Sequence, residues 1–434
     1  MKSVNLGICG LGTVGSGTFN VLQRNIREIE ASAGCELKVV HIGSRRDNPN
    51  CDTGTTKVSR DVFAVARDPE VQILVELMGG TTTAKELILE AISAGKHIVT
   101  ANKALIAEHG NEIFRAAEER GVCVAFEAAV AGGIPIIKVL REGLVANRIE
   151  WFAGIINGTG NFILTEMAQK GREFADVLAQ AQELGYAEAD PTFDVEGIDA
   201  AHKVVILASI AYGMPLQFDR IYTEGISKIE PQDLANAKEL GYRIKHLGVA
   251  RRRGDEVEMR VHPTLIPEKR LIAHVNGVMN AVMVMGDAVG STLYSGPGAG
   301  SEPTASSVVA DIVDIARELA LGATPSVPHL GFEPDYVSPI KIQSMDDLET
   351  AFYLRINLAD KPGVLSEITQ ILSQAGVSIE ALIQKEADDE LEYVPVVLLT
   401  NRAIEGKMKR AIQAIEKLDH VAGEVVSIRV ESLV

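Results

Sequence analysis

The chain has 434 residues, 46% of them apolar and 5% aromatic, a length that suits about three domains and a composition that suits an ordinary globular protein. Its formal charge of −17 and pI near 5.1 disfavour nucleic acid or an anionic membrane as partner. No apolar run is long enough for a signal peptide or a membrane span, and Cys9, Cys35, Cys51 and Cys123 lack metal-ligand spacing or disulfide density, so a reduced cytoplasm and buried free thiols are expected.

Residues 4–9 read as a short buried strand. They run into Gly10-Leu11-Gly12-Thr13-Val14-Gly15, a complete G-x-G-x-x-G, followed by a helix to about residue 29. The glycines permit a tight turn and close backbone approach, and the helix N-terminus attracts a pyrophosphate. The strand–turn–helix context is what makes this motif specific. A second strand, 37–43, ends where such folds read the adenosine ribose. An NAD-preferring site usually carries an acid there; this chain has Ser44-Arg45-Arg46. Arginines suit a 2′-phosphate, which favours NADPH with Lys57 as a helper, and NADH stays open.

Residues 71–78 form a third apolar run, 84–94 a helix, and 97–100 a strand that delivers Ala101-Asn102-Lys103 past its C-terminal end. That edge of a parallel sheet is where ligands lie, so Lys103 points to the cofactor crevice. After a strand at 122–126 comes Glu127-Ala-Ala-Val-Ala-Gly-Gly-Ile-Pro135. A carboxylate beside a glycine-rich turn can offer oxygens to a hard cation, although such turns mostly just reverse the chain.

From about residue 135 the pattern becomes α+β. A strand at 151–156 precedes Asn157-Gly-Thr-Gly160 and a helix at 162–169, and an amphipathic helix at 174–184 ends at Gly185. The next stretch, GYAEADPTFDVEGIDAAHK from Gly185 to Lys203, gathers Glu188, Asp190, Asp194, Glu196 and Asp199 ahead of a long apolar helix at 200–212. Asp199 and Lys203, four apart, share one helical face. Composition alone favours a solvated acidic loop. A hydride donor and a second lysine elsewhere in the chain turn it into a candidate site for a small substrate that carries an ammonium and needs a proton.

A helix at 231–240, a hairpin of 243–250 with 257–264 about Arg253-Gly254-Asp255, and strands at 278–285 and 291–295 follow. Gly296-Pro-Gly-Ala-Gly300 precedes a helix at 306–319 that returns toward the first domain. Residues 321–350 read as a proline-containing linker. The remainder reads as a separate βαββαβ unit: strand 352–358, helix to 374 opened by Asp360-Lys-Pro-Gly363, strands 377–385 and 393–400, helix 403–418, strand 423–430.

The motif G-Y-x-E-x-D-P-x-x-D-x-x-G-x-D-x-x-x-K, intact at Gly185–Lys203, resembles that of bacterial homoserine dehydrogenase with a C-terminal ACT regulatory domain. Ala101-Asn-Lys-Ala-Leu105 and Asn157-Gly-Thr-x-Asn161 match as well, and the resemblance covers nearly the whole chain. It implies an α/β protein with a Rossmann-type dinucleotide-binding domain (1–134, completed by helix 304–320) and an α+β catalytic/dimerisation domain (135–303). The linker 321–350 then leads to a βαββαβ ACT domain (351–434). It implies NAD(P)H-dependent interconversion of L-aspartate 4-semialdehyde and L-homoserine, in the biosynthesis of threonine, methionine and isoleucine. Lys203 would be the proton donor and Lys103 the lysine shared by cofactor and substrate. Glu188 and Asp199 would hold homoserine with Asp194 in support, and Gly185 and Gly300 would touch the cofactor. Glu127, Val130, Gly132 and Ile134 would bind a monovalent cation, sodium, largely through backbone oxygens. Threonine is the expected effector, and a homodimer or homotetramer the expected assembly.

The chemistry agrees with that reading. Carbonyl reduction needs a hydride and a proton, and an ammonium stabilises the charge that grows on oxygen. Two lysines facing one pocket repel, which brings one of them toward the working pH. The competing readings are a non-catalytic NAD(P)-sensing regulator and another amino-acid semialdehyde dehydrogenase of similar build. Aspartate semialdehyde dehydrogenase needs a nucleophilic cysteine, and Cys9 and Cys123 lie inside predicted strands.

Overall fold

Six strands, β1 (Ser3–Cys9), β2 (Glu36–Gly43), β3 (Lys57–Ser59), β4 (Ile73–Glu76), β5 (His97–Thr100) and β6 (Val124–Ala125), form an all-parallel sheet in the order β3-β2-β1-β4-β5-β6. The computed structural model describes residues 2–323, 326–384 and 392–434. Leu6, Ile8, Ile73, Leu74, Val75, Ile98 and Val99 are fully buried, as strands covered by helices on both faces require. The strand order reverses between β1 and β4, and the crevice at that point is the dinucleotide position of such folds.

Helix α1 (Thr13–Arg24) leaves β1 through the glycine turn. Gly10 has φ +100°, and a Cβ there would lie 2.7 Å from the Leu77 carbonyl oxygen. A Cβ on Gly15 would lie 1.9 Å from the Gly10 oxygen, whereas one on Gly12 would meet nothing within 4 Å. The first and third glycines therefore close the turn, and the second leaves its backbone open to a ligand.

Three further helices frame this unit: α2 (Lys103–Arg120), α3 (Ile198–Tyr212) and α4 (Ser301–Leu321). Helix α2 is not among the elements expected from sequence. Its apolar face (Leu105, Ile106, Ile113, Phe114, Ala117) is interrupted by Gly110, which packs under Leu216. Helix α3 is buried all round apart from Ile198, so it shows no amphipathic stripe. Helix α4 packs beside α1, with Ser301 Oγ donating to the Thr13 carbonyl at 2.8 Å. Val308, Ile312 and Ile315 join Leu6, Ile8, Phe19 and Leu22 in one core. The same unit holds an antiparallel ribbon of Ile149–Ile155, Met279–Gly286 and Gly290–Pro297.

The chain separates into two compact units, and the second comprises residues 159–198, 222–277 and 341–434. The hairpin Tyr242–Arg253/Glu256–Pro267 turns at Gly254-Asp255. The last strand of the chain, Val421–Val430, pairs parallel to this hairpin, Thr264 against Arg429 and Leu265 against Val430. Glu349–Ala359, Tyr393–Thr400 and Ile379–Gln384 then extend the sheet antiparallel, and helices Val364–Gln374 and Glu405–Ile415 cover the C-terminal part. The expected βαββαβ order is present, but these strands continue the hairpin's sheet instead of standing as a separate body. Within the expected linker, Lys341–Ile342 pairs with the hairpin. Residues 324 and 325 of that linker, and Lys385 at the end of the expected strand 377–385, lie outside the described residues. Among the described residues no helix is long and apolar enough to cross a membrane.

Buried ions fasten the C-terminal strands to the earlier chain. Arg355 Nε donates to Asp233 Oδ1 at 2.7 Å, its Nη2 donates to Glu230 at 2.7 Å, and Tyr353 OH donates to Asp233 Oδ1 at 3.0 Å. Asp233 is wholly buried. Removing one partner of such a pair leaves an uncompensated charge and costs ~3 kcal/mol. Arg355→Ala is therefore expected to lower the thermal unfolding midpoint clearly, measured by calorimetry. An unchanged midpoint would show that this pair does not hold the C-terminal strands.

Candidate active site

Residues from three segments meet around one carboxylate. Asp199, 2% exposed, lies in the first turn of α3. Lys103 at the start of α2 places Nζ 2.5 Å from Asp199 Oδ1, and Lys203, one turn along α3, places Nζ 2.6 Å from Oδ2. Asn157, just past the strand Ile149–Ile155, donates its side-chain N–H to Oδ2 at 2.9 Å. Lys203 Nζ also donates to the Ile156 carbonyl at 2.6 Å. Burial opposes ionisation of Asp199, but the charges of Lys203 and Lys103, with their hydrogen bonds, outweigh it and hold its pKa below the usual carboxylate value.

This corrects the expectation of two ammonium groups repelling across a pocket. The carboxylate sits between them, and the charges alternate. Lys203 is nearly enclosed and Lys103 half-open, at 9% and 37% side-chain exposure, so the two differ in access to a ligand. A second contact joins the same helices: His202 Nε2 lies 3.3 Å from Glu108 of α2, with its ring stacked on Phe218 at 4.3 Å. Burial lowers the His202 pKa.

Helix α2 begins at Lys103 because Asn102 caps it, its Oδ1 accepting from the Leu105 N–H at 3.1 Å. The cap is itself anchored. Asn102 Nδ2 donates to the Gly80 carbonyl at 2.7 Å, and its backbone N–H donates to Thr100 Oγ1 at 3.0 Å. Thr100 Oγ1 donates to Glu76 Oε2 at 2.6 Å, while Glu76 Oε1 accepts from the Met78 N–H at 2.7 Å. Glu76 is fully buried at the C-terminal end of β4, and sequence reasoning missed it. Its one signal is a carboxylate closing an otherwise apolar strand. Asn157, His202 and Glu108 were likewise not singled out as site residues, although Asn157 opens one of the matching motifs.

At the ribose end, Arg45 and Arg46 are exposed just past β2. Lys57 instead turns to Asp68, donating at 2.9 Å, and His41 Nδ1 lies 2.7 Å from the same Asp68 oxygen. The Lys57 hydrogen bond leads the effects that lower the Asp68 pKa to about 2. Arg60 pairs with Asp47 at 2.8 Å and donates to the Ser44 carbonyl at 3.2 Å, bracing the arginine turn. Gly300, φ +122°, is the N-cap of α4.

In the turn after β6, Glu127 accepts from the Ile137 and Lys138 N–H groups at 2.9 and 2.7 Å. Its carboxylate is thus committed to a helix start, and burial raises its pKa to about 7. Ala131 and Gly132 have φ +55° and +49°, and the Gly132 carbonyl accepts from Ser307 Oγ at 2.6 Å. Any cation among Glu127, Val130, Gly132 and Ile134 must rely on backbone carbonyl oxygens, a donor set that suits a hard ion. Among the described residues no three His, Cys, Asp or Glu side chains group as metal ligands.

In the second unit, Gly185 follows Phe174–Glu183 with φ +73°. Glu188 is exposed, and its carbonyl accepts from Gln182 at 3.1 Å. Asp194 lies half-buried in the one-turn helix Thr192–Val195, part of a stretch expected to be loop. All four cysteines are free, and burial raises the thiol pKa of each, the opposite of the lowered value that marks a nucleophilic cysteine.

Known proteins match this arrangement along the full chain. Residues 10–127 match the family model "Homoserine dehydrogenase, NAD binding domain", 135–313 "Homoserine dehydrogenase" and 352–417 "ACT domain". A homoserine dehydrogenase of Pseudomonas aeruginosa is 64% identical over 433 residues, covering 100% of both chains. The crystal structure of a homoserine dehydrogenase from Thiobacillus denitrificans superposes with TM-score 0.95 at 56% identity, covering 100% of this chain and 99% of that one. A hyperthermophilic archaeal homoserine dehydrogenase mutant in complex with NADPH is 28% identical with TM-score 0.62, over 74% of this chain and 98% of that one. With a glycine turn for a dinucleotide, a carboxylate bridging two lysines and relatives this close, the chain belongs to the homoserine dehydrogenase family of oxidoreductases, in the form that carries an ACT domain.

Proposed function

We propose that the chain interconverts L-aspartate 4-semialdehyde and L-homoserine with NADPH, and that Lys203, Asp199 and Lys103 form its proton-handling centre. The observation that carries this reading is the single buried carboxylate contacted by both lysines. A dinucleotide held at the glycine turn after β1 would supply the hydride. As negative charge grows on the carbonyl oxygen, an ammonium beside it stabilises that charge and gives up a proton. Lys203 Nζ is the donor, held in place by Asp199 Oδ2 and the Ile156 carbonyl. Lys103, the more open of the two, meets both cofactor and substrate.

The finer assignments rest on the motif and its chemistry. Asp199 orients the lysines, and the motif assigns Glu188 to the substrate α-ammonium with Asp194 in its support. Gly10, Leu11, Gly12, Thr13, Val14 and Gly15 would cradle the pyrophosphate at the start of α1, with Gly300 in the same unit; Gly185 is assigned to the cofactor by the motif alone. Exposed Arg45 and Arg46 suit the 2′-phosphate of NADPH, the dinucleotide in the complex of the archaeal relative; Lys57 would join them only by leaving Asp68. NADH remains the second cofactor. The left-handed backbone at Ala131 and Gly132 supports a carbonyl site for sodium between Glu127 and Ile134, since such strain concentrates at functional turns. The reaction belongs to threonine, methionine and isoleucine biosynthesis in the cytoplasm. Threonine is the effector of the ACT domain, and the enzyme works as a homodimer or homotetramer.

Lys203→Ala is expected to lower homoserine-dependent NADP+ reduction by about a hundredfold or more while NADPH binding, followed by fluorescence, persists. Near-normal turnover would remove Lys203 from the mechanism. Adding threonine to the same assay is expected to inhibit. No inhibition, with no binding heat in calorimetry, would leave the ACT domain an assembly element.

A further inference from the structure

Glu76 is a carboxylate with no exposed surface that the mechanism above does not use. It ends β4, one of the two strands flanking the point where the sheet order reverses. Its two oxygens join separate elements: Oε1 accepts from Met78 in the loop after β4, and Oε2 accepts from Thr100 at the end of β5. From Thr100 the chain of contacts runs to the Asn102 N–H, through the Asn102 cap to Leu105, and from the Asn102 side chain back to the Gly80 carbonyl. Lys103 is the first residue of the helix so capped. Its Nζ ends 2.5 Å from Asp199. The links from Glu76 to the Asn102 cap are hydrogen bonds of 2.6 to 3.1 Å, and the last step is the Lys103–Asp199 ion pair.

We propose that Glu76 is the positioning residue for Lys103: by fixing Thr100 and the Asn102 cap, it sets where the first turn of α2 delivers the Lys103 ammonium. The inference rests on Lys103 serving the reaction.

A fully buried carboxylate is an expensive way to secure a fold. Burial raises the Glu76 pKa to about 7, against the pull of its Thr100 and Met78 hydrogen bonds. The titratable group facing it from β1 is the buried Cys9 thiol, itself raised by burial and by Glu76; Thr100 and Asn102 face it from the other side. With a folded pKa above the unfolded value near 4.3, the native state holds the extra proton between the two. Stability linked to Glu76 is therefore present at low pH and lost as pH rises through about 7. Protonation also reverses the geometry: the carboxyl would donate to Thr100 Oγ1, which already accepts from Asn102.

The test is a double-mutant cycle on the full-length enzyme with Glu76→Gln, Lys103→Ala and the combination. Glu76→Gln is expected to lower kcat about tenfold with the KM for NADPH within about twofold. At pH 8 its unfolding midpoint should equal or exceed that of the parent. In the Lys103→Ala background the same change is expected to do nothing further, because Glu76 acts through Lys103. Unaltered kcat in Glu76→Gln, or a loss that multiplies with that of Lys103→Ala, overturns the proposal. Full activity in Lys103→Ala alone instead overturns the role given to Lys103, and the positioning claim with it. If Glu76→Gln does not fold, Thr100→Val breaks the same link and takes its place in the cycle.

Discussion

One buried negative charge organises the catalytic unit. A lone carboxylate as enclosed as Asp199 would cost several kcal/mol in lost hydration. Two ammonium groups and an amide N–H offset that cost, and each comes from a different part of the chain: Lys103 from α2, Lys203 from α3, Asn157 from the end of the strand Ile149–Ile155. The pairing is therefore a geometric constraint as much as a stabilising one. It fixes the first turn of α3 against the first turn of α2, with Glu108 and His202 as a second contact between the same helices. The two ammonium groups are held in place by the protein's own carboxylate, the kind of preorganisation that makes charge stabilisation effective.

The scaffold places that charge at the functional edge of the first unit. Parallel strands bring the glycine turn after β1, the loop after β4 and Asn102-Lys103 after β5 to one end of one sheet. In the second unit the C-terminal strands extend the hairpin sheet, and the segment 224–227 links them to the acidic stretch. Arg429 Nη1 donates to Glu224 at 2.6 Å, the Ile226 N–H donates to the Val195 carbonyl at 2.9 Å, and Ser227 Oγ donates to Glu196 at 2.8 Å. The ACT fold and the one-turn helix carrying Asp194 are thus parts of one packed body.

Local features were legible in the sequence and long-range ones were not. The glycine turn, the helix it opens, the position of Lys103 past a strand end and the i,i+4 relation of Asp199 to Lys203 each follow from a handful of neighbouring residues. That Lys103 meets Asp199 is a contact across ninety-six positions, which periodicity cannot carry. The three-residue strand Lys57–Ser59 is too short to announce itself, and it turns Lys57 toward Asp68 rather than the arginine turn. Helix α2 escaped notice because its charged surface and internal Gly110 blur its apolar face. The pairing of Val421–Val430 with the hairpin is set by tertiary packing of strands about 160 residues apart in the chain, so the C-terminal fold read as independent. That the Glu127 carboxylate accepts the N–H groups of Ile137 and Lys138 is a contact across ten residues and a glycine turn, which the spacing does not show.

The most direct measurement is Asp199→Asn, which keeps the shape and removes the charge between the lysines. Because lysine charges hold the Asp199 pKa below its unfolded value near 3.9, its contribution to stability is full above that pH and lost only as pH falls through the folded value. Homoserine oxidation is predicted to fall by about a hundredfold or more. The unfolding midpoint should drop relative to the parent by a margin that is constant from about pH 8 to about pH 5 and shrinks below about pH 4. Parental turnover together with parental stability in Asp199→Asn would contradict the account.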